Sequence, residues 1–138
     1  MQRRKYLDAP KGMRPEAKRK MVQVITAALN KAFPIPDVRI FIREYTAAEV
    51  SQDGRLDTDG VKPSFSMSVP RLARLDAKRE LVKSINTAIA ESCDGLADAA
   101  DIMVFVEEKA LENLSWGGRL QSDRPEVVQA LKPISQAT

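Results

Sequence analysis

APKGMRPEAKRKMVQVITAALNKAF (residues 9–33) and VPRLARLDAKRELVKSINTAIAESC (residues 69–93) are the same stretch written twice, at an offset of 60. Eight of the 25 pairs are identical: Pro10/Pro70, Arg14/Arg74, Ala17/Ala77, Lys18/Lys78, Arg19/Arg79, Val22/Val82, Ile25/Ile85 and Ala28/Ala88. The register then slips by four residues, and 37–56 aligns on 101–120 with seven of 20 identical: Asp37/Asp101, Phe41/Phe105, Glu44/Glu108, Ser51/Ser115, Gly54/Gly118, Arg55/Arg119 and Leu56/Leu120. Background composition would give ~3 matches in such an alignment. A repeat of this length is one supersecondary unit that cannot bury its apolar face alone. Two copies are too few for a solenoid, so the expectation is one domain over residues 1–138. Its repeats are 1–56 and 64–120, joined by a linker at 57–63 and followed by a tail at 121–138.

Each copy reads as strand, helix, strand. Ser64-Phe65-Ser66-Met67-Ser68-Val69 alternates with period two, the mark of a strand with one apolar face, and Arg4 to Ala9 is its more polar counterpart. Helices are expected over 15–33 and 75–92. Met21, Val22, Ile25, Ala28, Leu29 and Ala32 form a stripe at helical spacing in the first. Pro15 suits a first turn, and Glu16 and Asp76 fall where the helix dipole favours negative charge. Val38 to Ile42 and Ile102 to Val106 are nearly continuous apolar runs, the pattern of strands buried on both faces. A helix between two strands of one sheet requires a parallel, right-handed crossover. The fold class is therefore α/β (α+β): duplicated β-α-β units forming a four-stranded sheet with two helices on one face.

Two helices cover one face only, and the apolar second strands ask for cover on the other. No third long helix is available, since Pro125 to Lys132 makes at most a short one. An obligate oligomer with sheets packed about a symmetry axis is the expectation. The alternative, cover by residues 44–62 and the tail, is opposed by their polar, turn-rich composition. Each copy ends in Gly-Arg-Leu (Gly54-Arg55-Leu56 and Gly118-Arg119-Leu120), a hairpin able to pair with a neighbour's sheet edge. Residues from Pro133 to Thr138 are expected to be disordered.

Composition removes several function classes. Apolar residues make up 43% of the chain, but no run is long enough to span a membrane, and residues 1–8 lack a signal peptide's apolar stretch. The chain has no histidine and one cysteine, Cys93. Histidine-based nucleophile pairs are excluded, and with them an internal disulfide; neither a metal nor a cofactor is expected. A lone cysteine fits the cytoplasm, and Cys93 falls on the apolar side of its helix, where packing is its expected role. Net charge is +3. The basic residues Arg3, Arg4, Lys5, Lys11, Arg14, Lys18, Arg19 and Lys20 admit a nucleic-acid surface. Yet Lys18, Arg19 and Lys20 read better as a solvated helix face, and aromatics are only 5%, so no nucleic-acid partner is expected.

Two fused β-α-β units with a basic residue at the strand-to-helix turn, an Ala-Lys-Arg helix start, an apolar second strand carrying Arg39 and a Ser115-Trp116-Gly117-Gly118 end resemble the tautomerase superfamily. The first copy is similar to one 4-oxalocrotonate tautomerase subunit. The whole, over about residues 1–120, resembles the fused members, cis-3-chloroacrylic acid dehalogenase and malonate semialdehyde decarboxylase. The resemblance implies a homotrimer with its sheets facing the centre. It also implies an N-terminal proline whose secondary amine is the acid or base, arginines before the second helix that bind a carboxylate, and an acidic residue after the first helix. Arg71 and Arg74 fall at the arginine positions, and Asp37 matches the acidic one.

Gln2 stands where the family has its proline, and a chain beginning Met-Gln is expected to keep Met1. The positions of the dehalogenase histidine, tyrosine and glutamate hold Leu29, Val104 and Ser115, which removes that route. The Met1 α-amine is then the candidate base, its pKa lowered by nearby cations but its nitrogen displaced by ~3.5 Å from the family's terminus. Arg71 and Arg74, at i and i+3 by a helix start, are the candidate carboxylate ligands, and Trp116 a candidate pocket wall. The functional expectation is binding, with isomerisation, of a small enolisable carboxylate such as a 2-oxo acid or its enol. The alternative is a non-catalytic trimer of the same superfamily that binds an anion or serves as a scaffold.

Overall fold

The computed structural model describes residues 3–34, 37–57, 60–71 and 74–135. Its first half runs β1 (Arg3–Pro10), α1 (Pro15–Ala32), β2 (Val38–Tyr45) and a small hairpin of β3 (Ser51–Gln52) and β4 (Arg55–Leu56). Its second half repeats that order as β5 (Ser64–Pro70), α2 (Leu75–Ser92), β6 (Met103–Lys109), β7 (Ser115–Trp116) and β8 (Arg119–Leu120). A final helix, α3 (Pro125–Ser135), has no counterpart in the first half. No helix among the described residues is long and apolar enough to cross a membrane.

The sheet order is β2-β1-β5-β6, parallel within each half and antiparallel between β1 and β5. The registers carry the duplication into three dimensions. Arg4 faces Arg39 in the first half, and the aligned residues Ser64 and Met103 face each other in the second. Across the centre, Lys5 faces Met67 while Leu7 faces Phe65. These two pairs exchange under the offset of 60, and Tyr6 facing Ser66 is its own image. A local twofold axis therefore passes between Tyr6 and Ser66. The two hairpins match as well. Asp53 and Gly54, and Gly117 and Gly118, all adopt positive φ, the two-residue turn that suits the twist of a hairpin.

Alternation decides which side chains reach the core. Leu7 and Ala9 on β1, and Phe65, Met67 and Val69 on β5, point under the helices and are buried. Met21, Ile25 and Leu29 on α1, with Leu81, Ile85 and Ile89 on α2, close that layer from above. Each half also clips its helix to its second strand through one ion pair, Lys18 with Glu44 and Lys78 with Glu108. These pairs correspond under the repeat. Lys18 is thus a half-buried tether, not part of a freely solvated face.

As expected of a sheet that two helices cover on one side only, β2 and β6 leave a face open within the chain: Phe41 is 41% exposed, Phe105 50% and Met103 56%. The face away from the helices has no layer over it among the described residues, because both long helices occupy the opposite side. The chain from Pro133 does not depart from structure at once, since α3 runs to Ser135. Upstream, Val127 is buried against Leu111 and Leu114, and Leu131 packs with it, which holds the helix. Finally, Arg71 lies at the end of β5 and not within the first helical turn, because its N–H extends the ladder to β6 by donating to the Lys109 carbonyl at 3.1 Å.

Ile25 and Ile85 are equivalent and fully buried. Replacing either with alanine should cost about 2–5 kcal/mol, read as a lower urea midpoint with an unchanged slope. A loss confined to one half would contradict a single shared core.

Candidate functional site

The antiparallel ladder brings four chain ends to one edge of the sheet: the amino ends of β1 and β2 and the carboxyl ends of β5 and β6. Arg71 leaves the sheet here, directly after Pro70. Its side chain is exposed, and among the described residues its guanidinium has no ion pair. Arg74 differs. It is the N-cap residue of α2 and clamps Asp76, with Nε 3.2 Å and Nη2 2.6 Å from the two carboxylate oxygens. Hydrogen bonding from Arg74 holds the Asp76 carboxyl below its ordinary pKa. The clamp therefore persists above the usual carboxylate range and is lost as pH falls through the lowered value. Of the two candidate arginines, one is available to an anion and the other is occupied by its own helix.

Arg71 opens onto a 510 Å³ groove whose lining includes Pro70, Lys109, Leu111, Val128, Leu131 and, from the same helix, Gln129 and Lys132. The volume is within the range of small-molecule sites. Lys109 lies 3.1 Å from Glu107, and its hydrogen bond holds the Glu107 carboxyl below its ordinary value. The groove carries Arg71 and Lys109 on its strand side, and its α3 wall sets Val128 and Leu131 beside Gln129 and Lys132. A larger cavity, 630 Å³, lies beside Gly60, Val61 and Lys62 and faces Asp94, Asp98 and Asp101. Its carboxylates make it the wrong sign for an anionic ligand.

Asp37 sits at the start of β2 with φ of 70° and accepts from Arg39 Nε at 3.1 Å. Its place is at the same sheet edge as Arg71, about 10 Å away by two strand spacings. Trp116 is not among the groove's lining residues. Its ring is 41% exposed, the Arg124 guanidinium lies 5.0 Å from its centroid, and Arg124 Nη2 donates to the Trp116 carbonyl at 2.7 Å. Met1 and Gln2 lie outside the described residues. Among the described residues no cluster of acidic or cysteine side chains suits a metal ion.

Two features escaped the sequence reading. The Lys5 side chain is wholly buried, and its Nζ donates to the Ser68 carbonyl at 2.7 Å. It shares the period-two register of Leu7 and Ala9, which was the available signal. The α3 wall was missed because α3 lies outside the repeat. Cys93 is fully buried. Desolvation first, then the nearby Glu44 charge, pushes its thiol above the ordinary value, which removes it as a nucleophile.

No protein-family model matches the sequence, and no curated protein sequence matches it significantly. Solved structures do match. A fused 4-OT solved as an asymmetric trimer is 23% identical with a TM-score of 0.71, and 86% of this chain covers 96% of it. A native fused 4-OT is 17% identical with a TM-score of 0.75, and 88% of this chain covers 98% of it. A member of the cis-3-chloroacrylic acid dehalogenase family is 17% identical with a TM-score of 0.69, over 85% of this chain and 82% of that one. The fold is that of the tautomerase superfamily. The two fused 4-OT chains are covered almost whole, and 12% to 14% of this chain lies outside the match.

A thiol reagent should leave Cys93 unmodified in the native protein and modify it fully in denaturant; rapid native labelling would contradict its burial. Asp76→Asn should free Arg74 and tighten binding of a small carboxylate by up to about fivefold, measured by calorimetric titration. Unchanged affinity would place Arg74 outside the site.

Proposed function

We propose that this chain binds a small enolisable carboxylate, a 2-oxo acid or its enol, and interconverts its tautomers as a homotrimer. The observation that carries the reading is the Arg71 guanidinium, without an ion pair among the described residues, at the sheet edge where the amino end of β1 meets the carboxyl end of β5. A guanidinium offers a planar fork of donors that fits a carboxylate. Arg74 joins it when the ligand's negative charge competes with Asp76, and it then polarises the 2-oxo group. In that state the proton on the carbon beside the carbonyl is acidic enough to move. The Met1 α-amine, or a water held at this edge, takes that proton, and its return to the enolate oxygen completes the enol. Asp37 assists by placing negative charge at the same edge, and Trp116 contributes a wall from the hairpin of a neighbouring subunit. The trimer is supported by the exposed Phe41, Met103 and Phe105 and by the trimers in which fused 4-OT structures were solved.

Gln2 at the position of the family's proline favours a second reading, in which the trimer binds the anion without turning it over. One panel separates the two. Ultraviolet absorbance follows enol-to-keto conversion of 2-oxo acids by the wild type and by Arg71→Ala, Arg74→Ala and Gln2→Pro. Arg71→Ala should lower kcat/KM by about tenfold to a hundredfold, and Gln2→Pro should raise kcat. Rates equal to buffer for the wild type, with ligand binding intact and lost in Arg71→Ala, would establish the non-catalytic reading instead.

A further inference from the structure

The duplication makes two equivalent strand-to-helix turns, one after Pro10 and one after Pro70, at opposite edges of the sheet. Their backbones match: Lys11 N–H donates to the Tyr45 carbonyl at 3.0 Å, as Arg71 N–H does to Lys109 at 3.1 Å. Their surroundings do not. After β4 the chain leaves for β5, whereas after β8 it turns through residues 121–123 into α3. The second turn lies beside α3, whereas the first lies against the end of α2, where Ser92 Oγ donates to Met13 Sδ at 3.1 Å.

That helix is fastened to the second half at several points. Gln121 N–H donates to the Leu114 carbonyl at 2.8 Å, Arg119 Nη2 donates to the Asp123 carbonyl at 2.6 Å, and Arg124 stacks on Trp116. Val127 is buried against Leu111 and Leu114. So anchored, α3 turns Val128 and Leu131 toward Arg71 and Lys109 across the groove. Val128 is 41% exposed, an aliphatic surface left facing a basic one.

We infer that α3 makes the Arg71 groove a subsite for the hydrocarbon tail of an amphiphilic carboxylate, so that the preferred ligand is an aliphatic 2-oxo acid and not a compact one. The inference rests on the proposed role of Arg71 and adds the class of substrate. Arg71 holds the carboxylate, and the tail lies along Pro70, Leu111, Val128 and Leu131. Each methylene fully buried there strengthens binding by about fourfold, and less where the groove stays open to water.

Calorimetric titration of the full chain with 2-oxobutanoate, 2-oxohexanoate and 2-oxooctanoate tests this. Wild type should bind more tightly at each step, by about twofold to fourfold per methylene as far as hexanoate. Val128→Asn changes an exposed side chain and should preserve the fold. It should flatten that gradient, with the largest loss of affinity falling on 2-oxohexanoate and 2-oxooctanoate. Arg71→Ala should lose all three ligands. A flat gradient in wild type, with 2-oxobutanoate still bound and lost in Arg71→Ala, overturns this inference and leaves the proposed function standing. A gradient unchanged in Val128→Asn also overturns it, because the tail then lies elsewhere. Absence of binding by any of the three ends both.

Discussion

The antiparallel ladder between β1 and β5 is the contact on which the rest of the molecule depends. Each β-α-β unit has a helix on one side of two strands and no means of closing its own core. Joining the units edge to edge, with Tyr6 opposite Ser66, sets α1 beside α2 over one continuous sheet. Ile25 and Ile85 then share a layer with Leu7 and Phe65. The same ladder fixes the opposite face, since every residue that is not under the helices must point away from them.

That opposite face has its own order. Tyr6 stacks on Phe41 with ring centroids 5.5 Å apart, and Arg43 lies 4.8 Å above the Tyr6 ring. Arg43 and Tyr45 both meet Asp8, at 2.8 Å and 2.9 Å. Phe105 and Met103 stand exposed on the far strand. The equivalent Phe41 and Phe105 stand on both halves of this face, whereas Tyr6, Asp8 and Arg43 of the first half correspond to Ser66, Ser68 and Glu107 of the second, so the backbone repeat carries two different polar patterns.

The candidate site arises from the same divergence. Two equivalent turns carry Lys11 and Arg71, yet Lys11 lies 4.0 Å from Glu49 while Arg71 meets no carboxylate among the described residues. Arg14 and Arg74 are equivalent N-cap residues, yet only Arg74 binds an acid two residues on. Asp76 replaces Glu16 at that place, and its shorter side chain keeps the carboxylate within reach of the guanidinium. Small changes of this kind are enough to make one edge of a duplicated sheet a binding site and leave the other as surface.

The repeat, the strand-helix-strand order, the helix stripes and the positions of the two hairpins are written in the sequence, because they follow from local periodicity and from turn residues such as Asp53-Gly54 and Gly117-Gly118. So are the cations at the strand-to-helix turn. What only the tertiary structure decided is which of them are spent and which remain. Lys18 and Lys78 reach across to Glu44 and Glu108, and Arg74 is held by Asp76, while Arg71 stays open beside a wall that α3 builds. Lys5 reads as one more surface cation and is buried. Periodicity sets which way a side chain points along its own element. Whether it then meets a carboxylate, a carbonyl or water depends on neighbours brought in from distant parts of the chain, and no local pattern carries that distance.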